Sequence, residues 1–582
     1  MDVNRYDLEK IETDPLLPAW MATLELAAMT PDDADEARLW GPLEAPLTSV
    51  CVVVRAHPAL AALPHVAASV DAFLDRSRSW TVMRAARHGL VHLLRRLAAN
   101  ERRGMVAEEV NIDEAMGKAA KHGHLDALRW LHHYRPQARV SVFVLITAAE
   151  FGRLEIVQWL HSHRRERCTT AAMDRAATNG HLEVVQWLHA NRREGCTYDA
   201  MTGAAEFGHL DVVRWLQANR SEGCTAHAME RAAANGHLKV VQWLHANREE
   251  GCSRRAMDLA AKNGHLEVVQ WLHANRTEGC TAAAMNGAAA YGHLDVVQWL
   301  HENRTEGCSG MGVRHAAANG HLETLAWLHT HYGAVFQRSQ NIMDDVAARG
   351  QLHVLQWLHD RNVQCCSTAA MDGAAARGHL EVVQWLHAHR TEGCTTKAMD
   401  LAACNGHLEV VRWLHEHTSA GCTADAMVLA AKGGFVDVVA FLHENRSEGC
   451  TSRAMDHAAE NGHLAVVRWL HEHRQEGCTT DAMDAAARNG NLRLLMFLHA
   501  NRSEGCTPRA LARAAYTGQL ASVMWLLRHR PDQFDVPELL EDAMESARRG
   551  RADHVLAWLT RFSARRQELP EHPTEVDSSG PV

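Results

Sequence analysis

The sequence predicts an all-α fold, a solenoid of stacked helix-turn-helix repeats about 28 residues long. Three observations carry this expectation. Fourteen of the 17 tryptophans share one register, running from Trp130 and Trp159 through Trp187, Trp215 and Trp243 to Trp525 and Trp558. Most steps between them are 28 residues, Phe441 and Phe497 fill the same slot in two further periods, and Arg96 fills it in a degenerate first one. Within each period two short apolar patterns at helical spacing flank a turn, and a polar run such as ANRSEG closes the repeat. A chain of 582 residues would otherwise hold three or four globular domains, whereas a repeat array grows in one dimension.

In chain order, residues 1–79 lie outside the repeat and are expected to form an N-terminal helical cap, since the exposed end of a solenoid needs its apolar face covered. About 17 repeats follow between residues 80 and 562. The stretch Cys196 to Gly223, CTYDAMTGAAEFGHLDVVRWLQANRSEG, shows their grammar. Thr197 is a natural N-cap, because its hydroxyl can accept from an orphan N–H of the first turn. Ala200, Met201, Ala204 and Ala205 give the first helix a narrow face that permits close approach. Gly208 ends it by turning the chain through positive φ. A second helix then places Leu210, Val213 and Leu216 on one face, flanked by Val212 and Trp215. Neither helix buries its apolar face alone, so each repeat must stack on its neighbours. One repeat departs from the pattern: residues 329–352, HTHYGAVFQRSQNIMDDVAARGQL, lack the Cys-Thr cap and stretch the tryptophan step to 30. A hinge, a partner site and decay of a redundant repeat all fit that irregularity. The last residues, 563–582, are rich in Pro, Glu and Ser and are expected to be disordered.

The strings AAANGHLKVVQWLH at 232–245 and AAKNGHLEVVQWLH at 260–273 resemble the second half of an ankyrin repeat, A-A-x-x-G-H-x-x-V-V-x-x-L-L, and the match recurs over residues 80–562. The family's usual period is 33, and its T-P-L-H start is replaced here by Thr-x-x-Ala-Met. The resemblance therefore implies an ankyrin-like α-solenoid with shortened or absent β-hairpin fingers. Trp-rich, short-finger arrays of this kind resemble those of oomycetes and other protists. Leucine-rich repeats can run near 28 residues, but their L-x-x-L-x-L strand pattern is missing, and tetratricopeptide spacing does not fit. The segment 57–80, HPALAALPHVAASVDAFLDRSRSW, also resembles an F-box, the helical motif that tethers substrate adaptors to ubiquitin ligases; it reads equally as a capping helix pair.

Composition excludes several classes. A hydrophobic share of 47% with 22% charged residues describes a core-forming chain, not a disordered one. The net charge of −10 argues against general nucleic-acid binding. No long uncharged apolar stretch predicts a membrane span, and the charged amino terminus predicts no secretory signal, so a cytoplasmic location is expected. Twelve of the 15 cysteines occupy one repeated place, from Cys168 to Cys506. Stacked helical repeats stand about 8–10 Å apart. A disulfide needs Cα atoms within about 7 Å, so the ladder should stay reduced.

The repeated polar residues tempt a chemical reading. There are 41 histidines. Ten follow the turn glycine, among them His181, His209 and His237, and thirteen more follow Trp-Leu or Phe-Leu, among them His189 and His301. With one cysteine per repeat a zinc array is conceivable, but no C-x-x-C pair or finger-type spacing gathers four ligands. Catalysis needs one unusual constellation, whereas every Cys and His here has near-copies at a fixed period, and no nucleotide, hydrolase or kinase signature occurs. No enzyme activity, metal or cofactor is therefore expected. The tryptophan ladder could stack nucleobases, but a core or inter-repeat role suits its place beside the Val/Leu stripe. An acid precedes the paired alanines in seven repeats (Asp174, Glu230, Asp258, Asp372, Asp400, Asp456, Asp484); it fits either a binding stripe or bonds to neighbouring backbone.

What remains is a non-enzymatic protein–protein interaction scaffold, expected as a monomer. In ankyrin-like arrays the first helix and loop tips line the concave face. The resemblance thus points to the unrepeated residues just after each cap: Tyr198, Asp199, His227, Arg254, Arg255, Lys397, Asp425, Arg453 and Arg509. Recognition and neutral drift would leave the same diversity there. The second functional reading is a ubiquitin-ligase substrate adaptor acting through 57–80.

Overall fold

The computed structural model describes residues 80–102, 111–164, 168–339, 341–363 and 366–567. The expected cap over 1–79, the F-box-like stretch up to residue 79 and the tail from 568 lie outside them. Among the described residues there are 36 helices and no strand. Seventeen helix pairs account for all but two of these helices, the short Gly333–Arg338 and Pro531–Phe534. The chain divides between Ser253 and Arg254 into two compact blocks, the first with six described pairs and the second with eleven.

The first block shows how a repeat is built. Thr197 is extended (φ −109°), and its hydroxyl accepts from the Asp199 amide at 3.1 Å, opening the helix Tyr198–Glu206. Ala200, Met201, Ala204 and Ala205 are buried. Gly208 then takes φ +81°, where a Cβ would lie 2.6 Å from Nδ1 of His237 in the next repeat. Glycine is therefore required twice over, for its dihedral and for room. The second helix, Leu210–Asn219, buries Val212, Val213 and Leu216, while Leu210 and Trp215 stay half-exposed. Leu210 belongs to the rim of the core, because it sits in the first turn beside the His209 corner. Arg220 leaves the helix in extended backbone (φ −130°), and the loop returns to Cys224 with no hairpin strand. The short period leaves no residues for one.

Both blocks pack most closely between the first helices of successive repeats, whose paired alanines are buried; second helices approach each other much less. Small side chains permit the former, and bulky Trp, His and Leu space the latter.

The second block contains the irregular repeat. Residues 333–338 form an extra helical turn that buries Phe336 to 2% exposure, with its ring edge-on to His329 at 5.1 Å. Ser339 is buried too, and its hydroxyl donates to the Val335 carbonyl at 2.7 Å. The irregularity is thus a packed plug. The second block ends in the pair Pro537–Arg549 and Asp553–Gln567, so the last helix continues past the expected boundary at 562.

Candidate interaction surface

Most repeated polar residues turn out to be committed between repeats. All seven first-helix acids accept from the cap of the following repeat. Asp174 takes the Thr197 amide at 2.7 Å and its hydroxyl at 3.1 Å, Glu230 takes Ser253, Asp258 takes Thr281, and the ladder continues through Asp372, Asp400, Asp456 and Asp484. Asp344 and Asn286 do the same for Ser367 and Ser309, extending the set beyond the acids the sequence singled out. Of the two readings of this acid position, the bond to neighbouring backbone is the one realised. Burial raises the carboxyls of Asp174, Asp400, Asp456 and Asp484 above the usual range, against the lowering effect of those hydrogen bonds.

The loops carry a second ladder. Arg220 pairs with Glu222, and the same Arg-x-Glu pair closes at Arg248–Glu250, Arg304–Glu306, Arg446–Glu448 and Arg502–Glu504. Arg220 also donates to Nδ1 of His189 in the preceding repeat at 3.4 Å. Where glutamine replaces that histidine, Arg248 donates to Gln217 at 2.8 Å. Where tyrosine replaces the arginine, the Tyr332 hydroxyl meets His301 at 3.0 Å. The glutamates reach back as well, Glu504 accepting from the Cys478 amide at 3.2 Å. Its arginine partner holds the Glu504 carboxyl down at about 2.

Histidine, tryptophan and cysteine fill the remaining gaps. His181 bonds the Glu150 carbonyl of the preceding repeat at 3.1 Å, and its equivalents His209 and His237 lie against the preceding turn glycine. Trp215 stands edge-on to His189 at 5.2 Å, and Trp187, Trp299 and Trp413 repeat that contact. Tryptophan is therefore an inter-repeat residue, half-buried in most repeats. Burial pushes the thiols of Cys168 and Cys196 up to about 11 and of Cys308 and Cys478 to about 12, which opposes thiolate chemistry. Among the described residues no group of three or more His, Cys, Asp or Glu is placed to hold a metal ion, and no helix is long and apolar enough to cross a membrane.

The candidate residues just after the caps are exposed at the start of first helices. In the first block these are Tyr198, 52% exposed, with Asp199 and His227. In the second block Arg254 and Arg255 are exposed, and Arg254 donates to the Glu278 carbonyl at 3.2 Å, so it partly serves the next loop. Lys397, Asp425, Arg453 and Arg509 hold one position of their repeats, with Asp481 between the last two. That column alternates in sign, and Asp425 and Arg453 approach to 3.8 Å while both remain exposed.

Sequence reasoning missed one concavity. A cleft of about 300 Å³ lies beside Arg509, and Arg488, Arg513 and Tyr516 line it. Ser546, from the final helix pair, closes one side. The four-residue step from Arg509 to Arg513, which puts both on one helix face, was the available signal. The contributions of the neighbouring repeats carry none.

Comparisons with known proteins agree with this architecture. Ankyrin repeats (3 copies) match residues 117–202, 145–227, 257–340, 342–425 and 401–484, together more than half of the chain. Ankyrin repeats (many copies) match 229–273. No curated protein matches the chain. Among solved structures it is similar to the crystal structure of the pentatricopeptide repeat protein PPR10 from maize, at 11% identity over 93% of this chain and 99% of that one; the TM-score of 0.24 is too low to carry an argument. With its helix pairs, turn glycines and matched repeats, the chain belongs to the ankyrin repeat family.

Proposed function

We propose that this chain is a non-enzymatic scaffold that binds partner proteins through the exposed starts of its first helices and the adjoining loops. Ankyrin repeats are in general protein–protein interaction modules and are typically non-catalytic, which sets the class. One observation carries the choice of face. The repeated Asp, Arg, Glu, His and Cys are consumed between repeats, while the cap-adjacent positions are exposed and differ from one repeat to the next. A rigid array that presents unlike side chains at fixed spacing binds without a large ordering cost.

The test is affinity purification of the full chain followed by mass spectrometry. Wild type is compared with two double variants, Arg254→Glu/Arg255→Glu and Arg453→Glu/Arg509→Glu, whose helicity is checked by circular dichroism. Specific partners should be lost from at least one variant. An identical partner set in all three chains would overturn the choice of face.

A further inference from the structure

Three first-helix arginines of the second block meet an acid on a neighbouring repeat. Arg314 holds Asp345 at 2.5 Å, Arg488 holds Glu460 at 3.2 Å, and Arg453 lies 3.8 Å from Asp425. Arg509 and Arg513 form no ion pair with any carboxylate among the described residues, although both are exposed. Asp484 feels the charge of Arg513, but it is 1% exposed and both its oxygens are taken by Thr507. Two guanidiniums on one helix face thus have no carboxylate partner among the described residues, beside a third, Arg488, that is half-satisfied.

These three arginines rim the 300 Å³ cleft, with Ala512 and the 53%-exposed ring of Tyr516 between them. Its volume is at the small end of ligand pockets, of the order that one or two side chains fill. Charge and shape together describe the occupant: carboxylates for the arginines, with an apolar side chain for the surface between. A long polyanion fits poorly, since a phosphate backbone running along the column from Lys397 to Arg509 would meet Asp425 and Asp481.

We infer that this cleft docks an acidic peptide segment of a partner protein, Arg509 and Arg513 holding its carboxylates and Ala512 and Tyr516 seating an apolar side chain between them. The inference rests on the scaffold reading and deepens it by stating the chemistry of a partner. Guanidinium–carboxylate pairs are charge-assisted and often bidentate, which supplies both attraction and register. The chain's own residues 568–582 are the rival occupant, because they hold Glu568, Glu571, Glu575 and Asp577 and neither Lys nor Arg.

The experiment uses the full chain and a fluorescein-labelled peptide of four glutamates around one leucine, followed by fluorescence anisotropy at low and moderate salt. Saturable binding that weakens with salt is expected. The variant Arg509→Gln/Arg513→Gln should bind at least about tenfold more weakly, the loss of roughly one good ionic contact. Arg509→Lys/Arg513→Lys should recover part of that loss, and a peptide with lysine in place of glutamate should not bind. No saturation up to about 1 mM peptide, the limit of meaningful affinity, or equal affinity in wild type and the glutamine variant would overturn the inference. So would a tenfold or greater gain on changing Glu568, Glu571 and Glu575 to Gln and Asp577 to Asn, which assigns the cleft to the tail. If the peptide fails while co-purifying partners still depend on Arg254/Arg255 or Arg453/Arg509, this inference falls and the scaffold reading stands.

Discussion

Asp484 shows at residue scale why a repeated acid here is architecture. Its carboxylate is buried and accepts both the amide and the hydroxyl of Thr507, and burial raises its pKa. Asn286 does the same work for Ser309 without a charge, accepting the amide at 2.8 Å and donating to the hydroxyl at 2.9 Å. Asp484→Asn should therefore keep the staple and shift stability by less than about 1 kcal/mol. Asp484→Ala leaves the Thr507 amide unpaired and should cost about 1–3 kcal/mol. Hydrogen exchange at Thr507 is the direct measurement, since only the alanine variant should accelerate it. Equal exchange in both variants would remove the staple from the account. The sequence exposed the period of these acids but not their direction. The bond joins residues 23 apart, one on a first helix and the other in the loop that leads into the next, and spacing alone does not say whether a side chain faces its neighbour or solvent.

At the scale of elements, the helix pairs were legible because each signal is local: a Thr cap, paired alanines, a turn glycine and the Val-Val-x-Trp-Leu stripe. The irregular repeat was visible only as a broken period. Hinge, partner site and decay were all left open, because nothing local says that Phe336 turns inward. Its burial depends on His329 of the preceding helix and on an extra helical turn that the regular repeats do not contain. The basic cleft stayed hidden for a similar reason, as it is assembled from Arg488, the Arg509–Tyr516 helix and Ser546. Phe336→Ala should cost about 3–5 kcal/mol, the usual penalty for an aromatic cavity. The loss should appear as faster hydrogen exchange in Leu322–His331 and Ile342–Ala348, the helices on either side of the plug. In a repeat array damage stays near its origin, so distant pairs should keep their protection. Unchanged exchange around residue 336 would mean that the Phe336 turn does not brace the helices beside it.

For the molecule as a whole, identical interfaces add, and acid should expose their sum. Burial holds the imidazoles of His181, His379 and His499 below the ordinary histidine value. As pH falls through about 6.5 the unfolded chain takes up these protons while the folded chain does not, so stability is lost towards the depressed folded values. At lower pH two sets of carboxylates act in opposite directions. The loop glutamates, lowered by their arginines as at Glu222, Glu306 and Glu504, contribute stability that disappears as pH falls below about 4.5. The buried aspartates, raised as at Asp174 and Asp456, bind protons more readily when folded and oppose that loss. Loop pairs outnumber raised aspartates, so acid should destabilise in two steps, one below pH 6.5 and one below pH 4.5. Melting temperatures at pH 7.5, 5.5 and 4 would show both. A flat profile from 7.5 to 5.5 would mean that the histidines titrate alike in the folded and unfolded chain. A drop there that survives high salt would assign it to burial, because screening reaches the exposed loop pairs far more than imidazoles packed between repeats.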